Sequence, residues 1–245
     1  GTGGMTEMSV RIGNRAHAVG AAGAVGGPTI RVLLIYPNGR GMNMLPPAIG
    51  LLSAVLKERG HEVELFDTTY YASVEDYGES TDNDVKRLER LMVRPYEMPE
   101  EVTLRSTSPF DDFLNQVNEF QPDLLAISCT EDTWNLGIRL LDHVRKHRKV
   151  LTIAGGVFPT FAPEFVLSHD AVDIVCKGEG EDALRELCDR LASDQLFDDI
   201  PNLWVKLASG EIRENPIQMV DMNANPLIDM EIFEEARYYR PMAGR

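Results

Sequence analysis

Small and glycine-rich loops follow three predicted strands of this chain and carry the residues best suited to bind a ligand. Gly155-Gly156 follows a buried strand, and because neither residue has a Cβ, backbone can approach a large flat or anionic ligand closely. Ser128-Cys129-Thr130 follows another strand, and its hydroxyls can bond ligand amides or a phosphate, or cap the next helix. Residues 178–181, Gly-Glu-Gly-Glu, add two carboxylates, which would serve acid–base chemistry or Mg²⁺ only if other residues completed the set.

A fourth loop, residues 37–47, is longer and bears amides and apolar side chains. Its Gly39-Arg40-Gly41 lacks the third glycine of a dinucleotide fingerprint, and no Gly-Lys-Ser/Thr of a Walker loop is present. This composition suits a broad, partly hydrophobic ligand better than a pyrophosphate, unless the glycines and asparagines only form turns. The sequence contains no Ser/His/Asp arrangement, His-Glu-x-x-His or Cys-x-x-Cys that would indicate catalysis.

Alternating strand and helix signals predict that these loops meet at one edge of a sheet. Apolar runs at 30–36, 63–66, 124–128, 150–153 and 172–176 alternate with amphipathic helices. This order is typical of an α/β fold with a doubly wound five-stranded parallel sheet and helices on both faces. Ligands of such sheets bind at the carboxyl ends of the strands.

The remaining segments complete the predicted domain organisation. Residues 1–29 are rich in glycine and alanine and are expected to form a flexible leader before a domain at 30–199. Within that domain, the polar and acidic stretch 70–109 is an insertion, either a helical lid or a mobile excursion. Residues 200–245 are expected to form a small β-hairpin followed by an extended linker.

The bulk composition excludes several classes of partner. With 24 basic and 39 acidic side chains the net charge is −15, which disfavours nucleic acid and anionic membranes. No run has the length of a membrane-spanning helix or the order of a signal peptide. Three scattered cysteines are too few for a disulfide framework or a zinc site, so a cytoplasmic location is expected.

Taken together, the loops and strands resemble the cobalamin-binding domain that precedes the catalytic barrel in cobalamin-dependent radical S-adenosylmethionine enzymes. The resemblance covers residues 30 to about 207, and no single motif is specific, but their order and spacing agree with the family. The phrases that carry it are residues 32–38, 46–52, 60–67, 122–128, 155–160 and 178–181.

This resemblance implies a corrin ring over the carboxyl ends of the strands, with its nucleotide tail among the loops. The residues that would underlie the corrin are Asn38, Met42, Asn43 and Leu45. Those that would line the tail are Ser128, Thr130, Thr133, Gly155, Gly156, Phe158 and Thr160. Those that would close the far side are Gly178, Glu179 and Gly180.

Two departures from the family shape the expected function. Other cobalamin modules carry Asp-x-His-x-x-Gly in the first loop, but residues 37–47 contain no histidine. We therefore expect base-off, His-off cobalamin acting as a methyl carrier, with Met42 or Met44 as the alternative lower ligand. The chain also lacks the Cys-x-x-x-Cys-x-x-Cys cluster site. The 4Fe-4S cluster and S-adenosylmethionine are thus expected only in a partner radical domain, in cis or trans, and the chain alone should not catalyse a reaction.

Two other functions remain open from the residues alone. An independent doubly wound protein could bind a nucleotide or flavin, although a phosphate fingerprint is missing. A sensor or partner-binding domain could instead use the acidic insertion, including Glu97, Glu100 and Glu101, as its contact surface.

Overall fold

The computed structural model describes residues 28–39, 44–74 and 102–239. In these residues one sheet contains β1 (Arg31–Tyr36), β2 (Glu62–Asp67), β3 (Leu124–Ser128), β4 (Leu151–Gly155), β5 (Ile174–Cys176), β6 (Leu203–Lys206) and β7 (Ile212–Glu214). The strand order is β2-β1-β3-β4-β5-β6-β7. Strands β1 to β5 are parallel, while β6 and β7 are antiparallel to their neighbours. The predicted doubly wound parallel sheet is confirmed.

Helices cover both faces of this sheet. The helices of one face are α1 (Pro47–Glu58) and α6 (Glu181–Ala192); the other face carries α2 (Pro109–Phe120), α3 (Glu131–Arg145) and α5 (Pro163–Leu167), with the short α4 (Val157–Phe161) directly after β4. Side chains of a strand alternate between faces, so Leu33 and Ile35 pack with α2 and α3 while Val32 and Leu34 pack with α1. Because both faces are buried, the central strands are mainly apolar, with Thr152 of β4 as a buried polar exception.

The hairpin predicted near residues 203–213 forms, but it extends the main sheet rather than standing apart. Val175 of β5 pairs with Trp204 of β6. Leu203 and Val205 belong to the core layer beneath α6, and Trp204 belongs to the opposite layer. Because both faces of β6 are covered by the same two layers as β5, the hairpin is a continuation of the domain. The exposed β7 forms the outer edge.

The segment predicted as an extended linker packs back onto the domain between residues 228 and 238, which we call the C-terminal strap. Phe233 is buried in the core layer beside α1. The backbone N–H of Asp229 donates to the Gly50 carbonyl at 3.1 Å. The Asp229 carboxylate accepts hydrogen bonds from Ser53 Oγ and Lys57 Nζ, each at 2.6 Å. The strap ends in a 3-10 turn, Glu235–Tyr238.

The two ends of the predicted insertion lie side by side. The Arg105 N–H donates to the Tyr70 carbonyl at 2.8 Å, and the Ala72 N–H donates to the Arg105 carbonyl at 2.9 Å. The interior of the insertion, residues 75–101 with Glu97, Glu100 and Glu101, lies outside the described residues, as do residues 1–27 of the predicted leader. No helix in the described part of the chain is long and apolar enough to cross a membrane.

Candidate functional site

A cavity of about 330 Å³ opens at the carboxyl ends of β1, β3, β4 and β5, on the face covered by α1 and α6. Chain order reverses between β1 and β3, because β2 lies on one side of β1 and β3 on the other. Open α/β sheets bind ligands at such a switch point. The walls of the cavity are mainly apolar, with side chains from the sheet and both helices: Leu34, Ile49, Leu52, Ala126, Ile153 and Leu184.

Seven of the residues predicted to bind the ligand line this cavity. They are Ser128, Gly155, Gly156, Thr160, Gly178, Glu179 and Gly180. The loops after β3, β4 and β5 are thereby brought together at one site, as the sequence predicted.

The two adjacent glycines after β4 have different structural roles. Gly156 has φ +97°, and a Cβ there would lie 2.7 Å from the carbonyl oxygen of Cys129. This close approach lets the Phe158 N–H donate to the same oxygen at 3.3 Å, which joins the start of α4 to the loop after β3. A Cβ on Gly155 would meet only Cys176 Cβ at 3.8 Å, an ordinary contact. Gly156 is therefore required by the backbone, whereas Gly155 leaves space in the cavity.

Thr160 and Asn202 fix the loop after β5 beside the loop after β4. The Thr160 hydroxyl donates to the Gly156 carbonyl at 2.8 Å and accepts from the Gly178 N–H at 3.1 Å. Asn202 is 3% exposed, and its side-chain amide donates to the carbonyls of Lys177 at 3.1 Å and Glu179 at 3.2 Å. Sequence reasoning missed Asn202, because an asparagine between a helix and a strand is an ordinary turn signal.

Glu181, the first residue of α6, also lines the cavity and is only 6% exposed. Its Oε2 is buried and has no hydrogen-bond partner in the described part of the chain. A carboxylate at a helix N-terminus interacts favourably with the helix dipole. The sequence offers Glu181 as one of two carboxylates for acid–base chemistry or Mg²⁺, and it does not predict that Glu181 is buried against the cavity.

Other predicted site residues do not line the cavity. Thr130 and Thr133 cap α3, because the Thr130 N–H donates to Thr133 Oγ1 at 3.0 Å. Phe158 packs against Trp134 with ring centroids 5.4 Å apart, on the opposite face of the sheet. For these three residues the structure shows packing and capping contacts.

The loop after β1 is described only at its two ends. Asn38 is 1% exposed, its N–H donates to Thr68 Oγ1, and its side-chain amide donates to Thr69 Oγ1, each at 2.8 Å. These bonds join the ends of β1 and β2. Leu45 packs against the core layer beside α1. Met42 and Asn43 lie outside the described residues.

A buried ion pair connects the C-terminal strap to this loop. Arg237, 2% exposed, places Nε 3.0 Å from Asp67 Oδ2 at the end of β2, and its Nη2 donates to the Met44 carbonyl at 3.0 Å. Burial raises the pKa of Asp67, and the Arg237 charge opposes that rise. Tyr70 adds its ring 5.9 Å from the guanidinium and donates its hydroxyl to the Ala236 carbonyl. The strap therefore holds one end of the loop predicted to underlie the corrin.

The buried cysteines near the site are unsuited to nucleophilic chemistry. Burial raises the pKa of Cys129 to about 12. Burial, together with the charges of Glu181 and Glu179, raises the pKa of Cys176 to about 12. Because the thiolate is the reactive form, both thiols are inert at neutral pH.

Comparison with known families supports the interpretation of this edge as a ligand site. Residues 95–188 match the family model of the B12 binding domain, and this stretch contains β3, β4, β5 and the loops that line the cavity. This part of the chain is similar to the B12 binding domain. The resemblance drawn from the sequence is therefore confirmed for the family of the domain.

The chain is similar in sequence to three larger proteins. It is 23% identical over 146 residues to 4'-phospho-dehydrooxetanocin synthase from Priestia megaterium, covering 57% of this chain and 20% of the relative. It is 31% identical over 100 residues to 2-(S-pantetheinyl)-carbapenam-3-carboxylate methyltransferase from Streptantibioticus cattleyicolor, covering 40% and 15%. An uncharacterized methyltransferase from Pyrococcus horikoshii is 28% identical over 127 residues, covering 49% and 28%. The chain thus spans less than a third of these relatives.

Solved structures show the same fold in larger enzymes. The cobalamin-dependent S-adenosylmethionine radical enzyme OxsB, in its apo form, aligns with a TM-score of 0.60 at 21% identity, over 84% of this chain and 24% of that one. The radical S-adenosylmethionine methyltransferase TsrM from Kitasatospora setae, with cobalamin and a [4Fe-4S] cluster bound, aligns with a TM-score of 0.55 at 18% identity, over 81% and 31%. This chain is therefore similar in fold to parts of radical S-adenosylmethionine enzymes.

Proposed function

We propose that this chain binds cobalamin and serves as the cobalamin-binding module of a radical S-adenosylmethionine enzyme. The observation that carries the proposal is the cavity at the switch point between β1 and β3, built mainly by a stretch that matches the B12 binding domain. The sequence has no phosphate-binding fingerprint, and the raised pKa of Cys176 makes this thiol at the site unreactive. The alternative of an enzyme that binds a nucleotide is therefore less well supported.

The shape and lining of the cavity fit the nucleotide tail of the cofactor. A volume of about 330 Å³ is at the lower end for small-molecule pockets, so it suits a planar base with its sugar rather than a whole corrin. Its apolar walls would contact the base, and the backbone at Gly155, Gly156, Gly178 and Gly180 would lie near polar groups of the tail. The residues proposed to lie beneath the corrin are Asn38, Met42, Asn43 and Leu45.

We further propose that no histidine of this chain ligates the cobalt from below. Residues 37–47 contain none, and none is found among the described residues that line the cavity. The nucleotide base would then occupy the cavity and leave the cobalt, which is the base-off, His-off form. When bound, the corrin cobalt would supply a carrier for a methyl group.

The proposed partner is a radical S-adenosylmethionine domain, in cis or trans. The chain spans a minor part of its relatives, two of which are named methyltransferases. Since this sequence has no Cys-x-x-x-Cys-x-x-Cys, the 4Fe-4S cluster and S-adenosylmethionine would be held by that partner domain. In this proposal the chain carries the cofactor, and catalysis requires both parts.

Replacement of Gly155 by leucine tests whether the cavity is the binding site. A Cβ at position 155 makes only an ordinary contact with Cys176, so a leucine fits the backbone and its side chain fills part of the cavity. The variant should therefore bind hydroxocobalamin at least about tenfold more weakly than the unchanged chain does. The matched control is Ser209→Leu, which adds the same side chain to an exposed turn between β6 and β7. Equilibrium dialysis gives the dissociation constants, and thermal unfolding checks the fold of each variant. Equal affinity of the unchanged chain and the Gly155→Leu variant would contradict the proposal that this cavity holds the nucleotide tail.

A further inference from the structure

Glu181 is a buried acid whose environment in the protein is incomplete. Its side chain lines the cavity, the residue is 6% exposed, and Oε2 has no partner among the described residues. No lysine, arginine or histidine of the described chain lines the cavity. Buried acceptors in folded proteins nearly always have a hydrogen-bond donor, since an unpaired one is costly. Because Glu181 lines the cavity, a ligand held there is in a position to supply this donor.

We propose that Glu181 accepts a hydrogen bond from the nucleotide tail of the corrinoid and so selects complete cobalamins over corrinoids without a tail. This inference rests on the proposed function, because it needs a corrinoid at the cavity. Glu181 is then a specificity-determining residue: its carboxylate gains a partner only when the tail is inserted, and a corrinoid without a tail leaves that carboxylate unpaired.

The chemistry of the tail limits the donor to two sources. A neutral 5,6-dimethylbenzimidazole attached to its sugar has no N–H, so the donor is either a ribose hydroxyl or the ring nitrogen in its protonated form. Either would supply the donor that Glu181 Oε2 lacks among the described residues. The other titratable side chains that line the cavity are Glu179, which is exposed, and Cys176, whose raised pKa keeps it neutral.

Affinities for hydroxocobalamin and for cobinamide, the same corrin without the nucleotide, test the proposal. We would compare the unchanged 245-residue chain with Glu181→Gln, Glu181→Met and Asp182→Asn. Asp182 is the next residue of α6, exposed and paired with Arg185, so its variant removes one charge from the same helix end without altering the cavity. Methionine matches the length of glutamate and removes the acceptor in an apolar setting, which guards against loss of the fold.

Glu181→Met should weaken hydroxocobalamin binding by about 10- to 100-fold, and Glu181→Gln should weaken it less. Cobinamide affinity should stay within about twofold in both variants, and Asp182→Asn should bind both corrinoids normally. Repeating the series between pH 5 and pH 8 identifies the donor. A ribose hydroxyl gives a Glu181→Met loss that does not change with pH, whereas a protonated ring nitrogen gives a loss that increases in acid.

Two outcomes would overturn the inference without touching the proposed function. If both corrinoids weaken equally in Glu181→Met, Glu181 supports the fold or the corrin rather than the tail. If neither weakens, water satisfies Oε2 and the residue does not read the ligand. If the unchanged chain retains neither corrinoid, the proposed function fails, and the inference fails with it.

Discussion

Replacement of Arg237 by methionine should destabilise the chain strongly, because it leaves a buried carboxylate without its counter-charge. The side chains of Arg237 and Asp67 are 2% and 7% exposed, and Nε lies 3.0 Å from Oδ2. Removing one partner of such a buried pair costs about 3–5 kcal/mol in the free energy of unfolding. For a domain of this size, that corresponds to a melting temperature lower by roughly 6–20 °C. Thermal or urea unfolding followed by circular dichroism at pH 7 measures the loss.

The loss should also depend on pH, with a sign that follows from Asp67. Burial already holds the pKa of Asp67 above its unfolded value, and Arg237 opposes this rise. In the variant that opposition is gone, so the pKa of Asp67 rises further. A carboxyl with a raised pKa in the folded state contributes most to stability below its unfolded pKa, and this contribution is lost as the pH rises through the folded pKa. The deficit of the variant should therefore be smallest in acid and increase toward neutral pH.

Two further variants separate the buried pair from a general effect of losing arginine. Arg213→Met breaks an ion pair with Asp198 in which the arginine side chain is 48% exposed, and it should cost less than about 1 kcal/mol. Adding Asp67→Asn to Arg237→Met should recover most of the lost stability, since the uncompensated charge is removed. A deficit at pH 7 below about 1 kcal/mol, or one that is larger in acid, would refute the reasoning about this pair.

Three further predictions follow from the loops around the cavity. Gly156→Ala should lower the free energy of unfolding by about 1–3 kcal/mol, because the new Cβ would lie 2.7 Å from the Cys129 carbonyl oxygen in a residue with φ +97°. Gly155→Ala should lower it by less than about 1 kcal/mol. Urea unfolding compares the two variants, and equal losses would contradict the different roles given to these glycines. Asn202→Gly places a residue that readily adopts φ +68° at this position, but it removes two hydrogen bonds to the loop after β5. The free energy of unfolding measured with urea should fall by about 1–3 kcal/mol. An unchanged urea midpoint would contradict this prediction. At pH 7, Cys129 and Cys176 should react with a thiol reagent at least about 100-fold more slowly in the folded chain than in urea. Rapid labelling of the folded chain would show that these thiols are accessible to the reagent.

The sheet and its ligand-bearing edge could be predicted because their signals are local in the sequence. Residues 32–35 form a continuous apolar run, which is typical of a strand buried on both faces, and all four are at most 1% exposed. Gly155-Gly156 directly follows such a run, so its place at the carboxyl end of β4 follows from the parallel topology. The same argument placed Ser128 and Gly178 beside the cavity.

The features that the sequence did not predict depend on contacts between distant residues. The C-terminal strap contacts α1 about 180 residues earlier in the chain, through bonds such as that between Asp229 and Gly50. The longer segment that contains it, residues 215–245, has prolines at 216, 226 and 241 and is typical of a linker. The hairpin extends the sheet because the core layers that contain α6 and α3 cover both faces of β6. The short apolar run of β6 in the sequence does not show that both of its faces are covered. Thr130 has the residue type of both a ligand contact and a helix cap, and only the structure distinguishes the two.

The visible absorbance spectrum of the chain tests the central claim most directly. The purified 245-residue chain is mixed with hydroxocobalamin, passed through a gel filtration column and measured in the protein peak. We predict that the corrin stays with the protein and shows the spectrum of the base-off form, since residues 37–47 offer no histidine and the cavity would hold the nucleotide base. A protein peak without corrin, or one that retains flavin or a nucleotide in parallel runs instead, would contradict the account.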